Sequence, residues 1–288
     1  MQGIVCVNKP QGWTSFDVVK KIKKIFNTSK VGHLGTLDPM AEGVLPVAIG
    51  KATKLFDYYL QKTKTYIAEF EFGYETDTLD LEGERIASSN VIPTISQINE
   101  VLPDFIGKIM QVPPKYSAIK INGRRAYDLA RKSVEFTLTA KEIEIFDIKC
   151  TKEISNTKFE FEINCSAGTY IRSIARDLAV ALGSVATMTS LKRIRSGNFV
   201  INDCKTIEEL EINPNSGLIS LETALNDLPV MLLPSHKLQL IKNGVKVRVN
   251  IKPENTLSRI YVENELLGVG EIVDGQLQLN IRLYEGEK

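Results

Sequence analysis

Histidine, tryptophan and cysteine are scarce in this chain of 288 residues, which holds two, one and four of them. Cys6, Cys150, Cys165 and Cys204 lie far apart and never form C-x-x-C, so neither a small disulfide scaffold nor a four-cysteine zinc site is expected. They read as mostly buried, reduced thiols of a cytosolic protein. The H-x-E and C-x-x-C pair of the zinc nucleobase deaminases is missing. A P-loop is excluded between Gly43 and Lys51, where the glycine spacing is wrong and Ala52 replaces Ser or Thr. No apolar run approaches the roughly 18 residues of a membrane span, and the first ten residues lack the apolar core of a signal peptide. The expectation is a soluble, cytoplasmic protein without membrane contact. Neither sign of charge is in excess: 36 Lys and Arg face 35 Asp and Glu, a net charge of +1. That balance excludes a bulk-charge binder of nucleic acid but leaves room for a local basic groove.

What is present reads as a mixture of strands and helices. Ile4 to Val7 forms a short strand ended by Lys9-Pro10-Gln11-Gly12. Ser15 then caps a helix with Phe16, Val18, Val19, Ile22, Ile25 and Phe26 on one face, and Lys20, Lys21, Lys23 and Lys24 on the other. That lysine face suits either solvent or phosphate. Lys64 to Phe72 alternates as a strand, with Tyr66, Ala68, Phe70 and Phe72 sharing a face. Thr94 caps a helix carrying Ile95, Ile98, Val101 and Leu102. A second alternating run, Phe159 to Cys165, leads into a helix from Tyr170 to Leu182 that Gly183 stops. With no regular βαβ rhythm, the fold class is α+β, a mixed and largely antiparallel sheet with flanking helices.

Near Asp227-Leu228-Pro229 the pattern changes to short strand-like pieces: Gly244–Val249, Ser258–Val262, Leu266–Ile272 and Gln276–Leu283. Turns at Lys252-Pro253-Glu254-Asn255 and Asp274-Gly275 separate them, which suggests a small β-barrel over 229–288 beside a main domain over 1–228. Charge is segregated along the chain. Residues 69–84 hold seven acids and no Lys or Arg, whereas 108–132 hold seven basic residues against Asp128 alone. The basic segment also carries Tyr116 and Tyr127, a mixture that suits phosphates and exposed bases.

The most constrained stretch runs from Val31 to Pro46, with three glycines and two prolines in VGHLGTLDPMAEGVLP. Pro39 biases Asp38 towards an extended backbone, so its carboxylate is presented from a defined position. This run resembles the catalytic motif of the TruB-type tRNA pseudouridine synthases. The resemblance continues in order through Asn8–Ser15, Gly50–Leu55, Lys64-Thr65-Tyr66, Gly73–Asp80, Pro113–Ala118, Gly168–Ser173 and Leu191-Lys192-Arg193, covering residues 3–200. Leu34 departs from the Thr or Ala equally usual there.

The resemblance implies that Asp38 is the essential aspartate, that Tyr66 lies against the target uracil, and that Arg172 pairs with Asp38. It implies that Leu191 walls the uracil pocket and that His33 sits near the space vacated by the flipped nucleotide. Lys9, Tyr170, Lys115, Arg124, Arg125 and Arg193 are the further expected contacts to substrate. The implied substrate is the tRNA T-arm, with uridine 55 as target and no obligate protein partner. Residues about 108–145 would clamp the RNA stem, and 229–288 would form a PUA-like RNA-binding domain.

Converting uridine to pseudouridine breaks N1–C1′, turns the uracil and rejoins it through C5. There is no net redox change or hydrolysis, so neither cofactor nor metal is expected. A carboxylate ionised at neutral pH suits the task without a histidine partner. Asp38 could attack C1′, add to uracil C6 or remove a proton from C2′, and the residues leave all three routes open. A non-catalytic RNA-binding module and an N-ribosyl hydrolase that releases free uracil are the competing functions.

Overall fold

The computed structural model describes residues 1–117, 119–121, 123–132, 134–249 and 255–284, and the Arg125 side chain also lies outside the described residues. Outside them too fall Ala118 of the Pro113–Ala118 motif and most of the turn expected at Lys252–Asn255.

The first half of the chain supplies β1 (Gly3–Lys9), β2 (Val31–His33), β3 (Glu42–Ile49), β4 (Lys64–Phe72), β5 (Tyr74–Thr76) and β6 (Arg85–Ser88). The middle adds β7 (Gly107–Gln111), β8 (Lys120–Ile121), β9 (Arg124–Arg125), β10 (Lys141–Ser155) and β11 (Lys158–Cys165). After these come β12 (Ala186–Ser196), β13 (Phe199–Val200) and β14 (Leu218–Ile219). The main sheet runs β14-β1-β3-β12-β4-β11-β10-β7, with β2 on β3 and β13 on β12. All its pairings are antiparallel except β12 with β3. That parallel contact sets Arg193 opposite Gly43, while the other edge of β12 sets Arg193 opposite Tyr66. The expected α+β class is what the chain adopts.

One face of the sheet is covered by the helices Ser15–Ile25, Ile95–Val101 and Ile171–Ala181. Their apolar residues form a continuous core with Tyr66, Ala68, Phe70, Phe72, Phe159, Phe161 and Ile163, the inward set that alternation marks on β4 and β11. Thr94 caps its helix through a reciprocal box with Gln97, as expected.

The first helix differs from the sequence reading. Its cap is Thr14, boxed with Asp17, while the Ser15 hydroxyl is held at Leu37 instead. Phe16 is 57% exposed, because the buried stripe is Val18, Val19, Ile22 and Phe26. The expectation of four separate thiols also needs correction. Cys6 and Cys204 are drawn together, Cα–Cα 4.7 Å, as a disulfide, and Cys150 and Cys165 remain free.

A second sheet follows, with β15 (Val230–Leu233), β16 (Ser258–Val262), β17 (Glu265–Val273) and β18 (Gln276–Arg282) in that order. Asp274 and Gly275 both have positive φ, which is the geometry of a tight β17–β18 hairpin turn. The strand expected over Gly244–Val249 is not formed. Val247 is buried against the sheet and Arg248 makes a single bridge to Gln276. Two backbone bonds flank that bridge, Leu277 N to Val247 O at 2.9 Å and Val249 N to Gly275 O at 3.0 Å, so its pairing stops at a single bridge. The parallel strand β15 supplies the fourth position in its place. This sheet has its own core around Met231, Ile260 and Ile272. It rests on the main domain through Val269 and Leu283, and Lys54 donates to the Arg282 carbonyl at 2.7 Å.

Candidate active site

Asp38 lies between β2 and β3 in a loop without regular structure of its own, so its position depends on side chains from elsewhere. Three clamps supply it. Ser15 Oγ accepts from Leu37 N at 2.9 Å and donates to Leu37 O at 3.0 Å. Lys9, fully buried at the end of β1, donates to the carbonyls of Pro10, Trp13 and Pro39 at 3.0, 2.6 and 3.2 Å. Arg193, 1% exposed, donates to the carbonyls of Val44, Thr36 and Gly35 at 2.8, 3.2 and 3.4 Å. The backbone is therefore tied on both sides of Asp38, and these carbonyls satisfy cations that burial would otherwise make costly.

The Asp38 carboxylate remains 37% exposed at the pocket, and its Oδ2 lies 2.8 Å from Arg172 Nη2. Arg172 stands in the first turn of the helix Ile171–Ala181, where the macrodipole disfavours a cation. A second carboxylate offsets this, since Asp80 Oδ2 lies 3.2 Å from Arg172 Nη1 and is almost fully buried. Arg172 also donates to the carbonyls of Thr78 and Tyr116 at 3.1 and 3.2 Å. Asp80 is itself held, its Oδ1 accepting from the Thr78 hydroxyl at 2.6 Å and from Glu82 N at 3.0 Å. Leu79 adopts φ +64 to bring these groups round. Such strain in a branched side chain points to a site that tertiary contacts over-determine. Arg172 is thus a bridge between two carboxylates, which fixes the direction of the exposed one.

Tyr66 and Leu191 are buried, with 9% and 6% of their surfaces exposed, in the core that also holds Leu37 and Met40 of the Asp38 loop. Burial pushes the Tyr66 phenol above its ordinary pKa, while Arg193 acts in the opposite direction, so Tyr66 is a neutral hydroxyl near pH 7. Tyr170 ends the approach to the Arg172 helix. Its backbone N–H donates to Gln111 Oε1 at 2.8 Å, and its carbonyl accepts from Gln111 Nε2 at 3.1 Å. Among the described residues no group of three or more His, Cys, Asp or Glu side chains is placed to hold a metal ion.

Residues 23–171 match the TruB family pseudouridylate synthase N-terminal domain, and residues 172–228 match the tRNA pseudouridylate synthase B C-terminal domain. The chain belongs to the TruB family. It is 40% identical over 290 residues to the tRNA pseudouridine synthase B of Clostridium kluyveri, covering 99% of this chain and 100% of that one. Against the same-named protein of Borrelia garinii subsp. bavariensis, identity is 43% over 272 residues, covering 93% and 94% of the two chains. Among solved structures, the chain resembles one in a Cbf5-Nop10-Gar1 complex, with TM-score 0.75 and 26% identity over 98% of this chain and 85% of that chain. It also resembles a chain in an H/ACA RNP bound to a substrate RNA containing 2′-deoxyuridine, with TM-score 0.72 and 25% identity, covering 99% and 84%.

In this TruB-family chain Asp38 is ion-paired with Arg172, both charges act on Tyr170, Asp38 also acts on Tyr66, and Leu191 shares a core with Tyr66 and Leu37. Burial, followed by the nearby Arg193 charge, lowers the His33 pKa and favours the neutral ring. Lys9 and Arg193 do not fit their expected roles as RNA contacts. Both are buried, with their donors directed at backbone carbonyls rather than towards an RNA surface. A cation within a strand reads from sequence as a surface residue, and that is the source of the error. Asp80 and Gln111 were missed as site residues, although Asp80 closes the acidic Gly73–Asp80 motif. Asp80 came out of the acidic charge count with no sign of its basic partner.

The expected clamp begins beside Arg172. Tyr116 donates from its hydroxyl to Asp77 Oδ2 at 2.8 Å, tying the basic segment to the acidic hairpin formed by β5 and β6. Between them lies a cleft of ≈ 870 Å³ whose walls include Asp77, Leu79, Pro113, Tyr116 and Phe136. Lys115 and Arg124 are exposed, and Arg124 sits in the two-residue strand β9 paired with β8. Arg125 lies in the same strand, its side chain outside the described residues. Lys21 of the first helix is paired with Glu211, and Lys20 with Asp17.

Proposed function

We propose that this chain isomerises uridine 55 in the tRNA T-arm to pseudouridine, acting without a protein partner or cofactor. The observation that carries the reading is the Asp38 carboxylate, open to the pocket yet aimed by the buried Arg172, in a relative of proteins named tRNA pseudouridine synthase B. The nucleotide leaves the stack at a cost of a few kcal/mol, offset by contacts to the RNA on either side. Uracil then lies against Tyr66 and Leu191, with C1′ and C6 facing Asp38. The N1–C1′ bond breaks, uracil turns, and a C5–C1′ bond forms as C5 loses a proton and N1 gains one. Tyr66 is the hydroxyl placed to take part in that late proton transfer. Asp38 begins the sequence by attack at C1′, addition at C6 or removal of a proton from C2′. Lys115, Arg124 and Arg125 would hold the phosphates of the stem, and residues 229–288 would form a PUA-like domain on the same RNA.

The test uses purified protein and a T-arm transcript, with nucleosides separated after digestion. Wild type is expected to yield pseudouridine at position 55 without additives. Asp38→Asn should reduce turnover by on the order of 10⁴ or more while RNA affinity stays within a few-fold. Free uracil would identify a hydrolase, and tight binding without product would identify an RNA-binding module.

A further inference from the structure

Arg193 occupies the point where the two halves of the pocket meet. Its backbone lies opposite Gly43 on one side of β12 and opposite Tyr66 on the other. Gly43 has φ +103, and a Cβ there would collide with the Arg193 carbonyl oxygen, so the approach of β3 is close. The guanidinium then reaches back to the carbonyls of Gly35, Thr36 and Val44, spanning the loop that carries Asp38. A planar fork can meet three carbonyls in different directions, whereas a lysine offers one point. Among the described residues no carboxylate lies within ion-pair distance of this buried charge. Its position is therefore set by backbone geometry, and it sets that geometry in turn.

We propose that Arg193 is a positioning residue for the isomerisation: one buried guanidinium holds the Asp38 loop in register with the strand that presents Tyr66. The proposal rests on Asp38 and Tyr66 being the reacting groups. The groups that face Arg193 are Lys9 from β1, His33 from β2, Lys64 and Tyr66 from β4, and Cys165 from β11. Burial, with the Arg193 charge adding to it, brings Lys9 and Lys64 down to about 8. A lysine placed at 193 keeps the charge but offers one donor point in place of the planar fork.

The experiment measures single-turnover pseudouridine formation at saturating T-arm transcript, and RNA Kd. Arg193→Gln is expected to slow the step by about 100-fold with Kd within about threefold, because a small misplacement of reacting groups is that costly. Arg193→Lys keeps the charge without the fork and should restore only part of the rate, again with Kd within about threefold. A wild-type rate in Arg193→Gln would overturn the proposal. So would a weakened Kd with an unchanged saturated rate, which would return Arg193 to the RNA surface. If Arg193→Gln does not fold, Arg193→Lys decides, and a wild-type single-turnover rate in that variant overturns the idea. Failure of the functional reading is separate: wild type would then form no pseudouridine, or Asp38→Asn would remain active.

Discussion

The floor of the pocket and the segment above it handle positive charge in opposite ways. Lys9, Arg172 and Arg193 are 0%, 6% and 1% exposed, and each directs its donors at carbonyls or carboxylates. Lys115, Lys120 and Arg124 stand in solvent on a segment whose regular structure is a two-residue hairpin and a five-residue helix. Buried cations of the first kind fix geometry, because misplacing one leaves desolvated charge without partners. Exposed cations of the second kind release counterions when they meet phosphate, and they need little fixed geometry to do so. On the proposed function, chemistry and grip fall to different regions, joined at Tyr116, whose carbonyl receives Arg172 and whose hydroxyl reaches Asp77.

The strongest way to test that division is to weaken the floor without touching the grip. Asp80→Asn removes one of the two carboxylates on Arg172 while keeping side-chain size. It should slow pseudouridine formation by about 100-fold and leave Kd within about threefold, since on the proposed mechanism the Asp38 carboxylate loses its aim. Parallel loss of affinity would show that the floor also carries binding. The reverse experiment alters the grip alone. Lys120→Ala with Arg124→Ala should raise Kd by about tenfold and reduce the salt slope of binding by about 2, with the saturated rate unchanged. An unaltered slope would place the RNA phosphates elsewhere.

Buried charge in the floor also predicts a dependence on pH. Lys64 is 6% exposed and donates to the Leu60 carbonyl at 2.6 Å, and burial lowers its pKa to about 8. With a folded value below the ordinary 10.5, the folded state releases its proton first as pH rises. The cost of burying the charge is fully present below about pH 8 and is relieved between there and the ordinary lysine value. Relative to Lys64→Met, the native protein should therefore gain stability across that window, by up to about 1.4 kcal/mol per pH unit. Urea unfolding at a series of pH values measures the difference, and a constant offset would place the ammonium in solvent. The smallest effect belongs to the joint. Tyr116→Phe removes one hydrogen bond to Asp77, worth about 1 kcal/mol, and should speed proteolytic nicking of the segment by about fivefold.

Much of the local structure was legible because it follows from neighbours in sequence. The alternation in β4, the Thr94–Gln97 box and the helix ending before Gly183 each depend on residues within a few positions of one another. The expected pairing of Arg172 with Asp38 is present. The choice of Thr14 over Ser15 as cap was not legible, because the Ser15 hydroxyl is used on a loop more than twenty residues away. Nor was the reduction of Gly244–Val249 to a single bridge, since alternation marks a buried face but not how far its pairing extends.

By itself, the amino-acid order determined which chemistry-bearing residues the chain holds, the periodic elements that carry them, and the neutral sum of its segregated charges. Only the tertiary structure decided which cations are surface and which are floor. Burial and partner choice depend on strands that approach from distant parts of the chain, as β3 and β4 approach Arg193 from either side of β12. Asp80 became a site residue for the same reason: its carboxylate acquires a role when the helix beginning at Ile171 brings Arg172 against it.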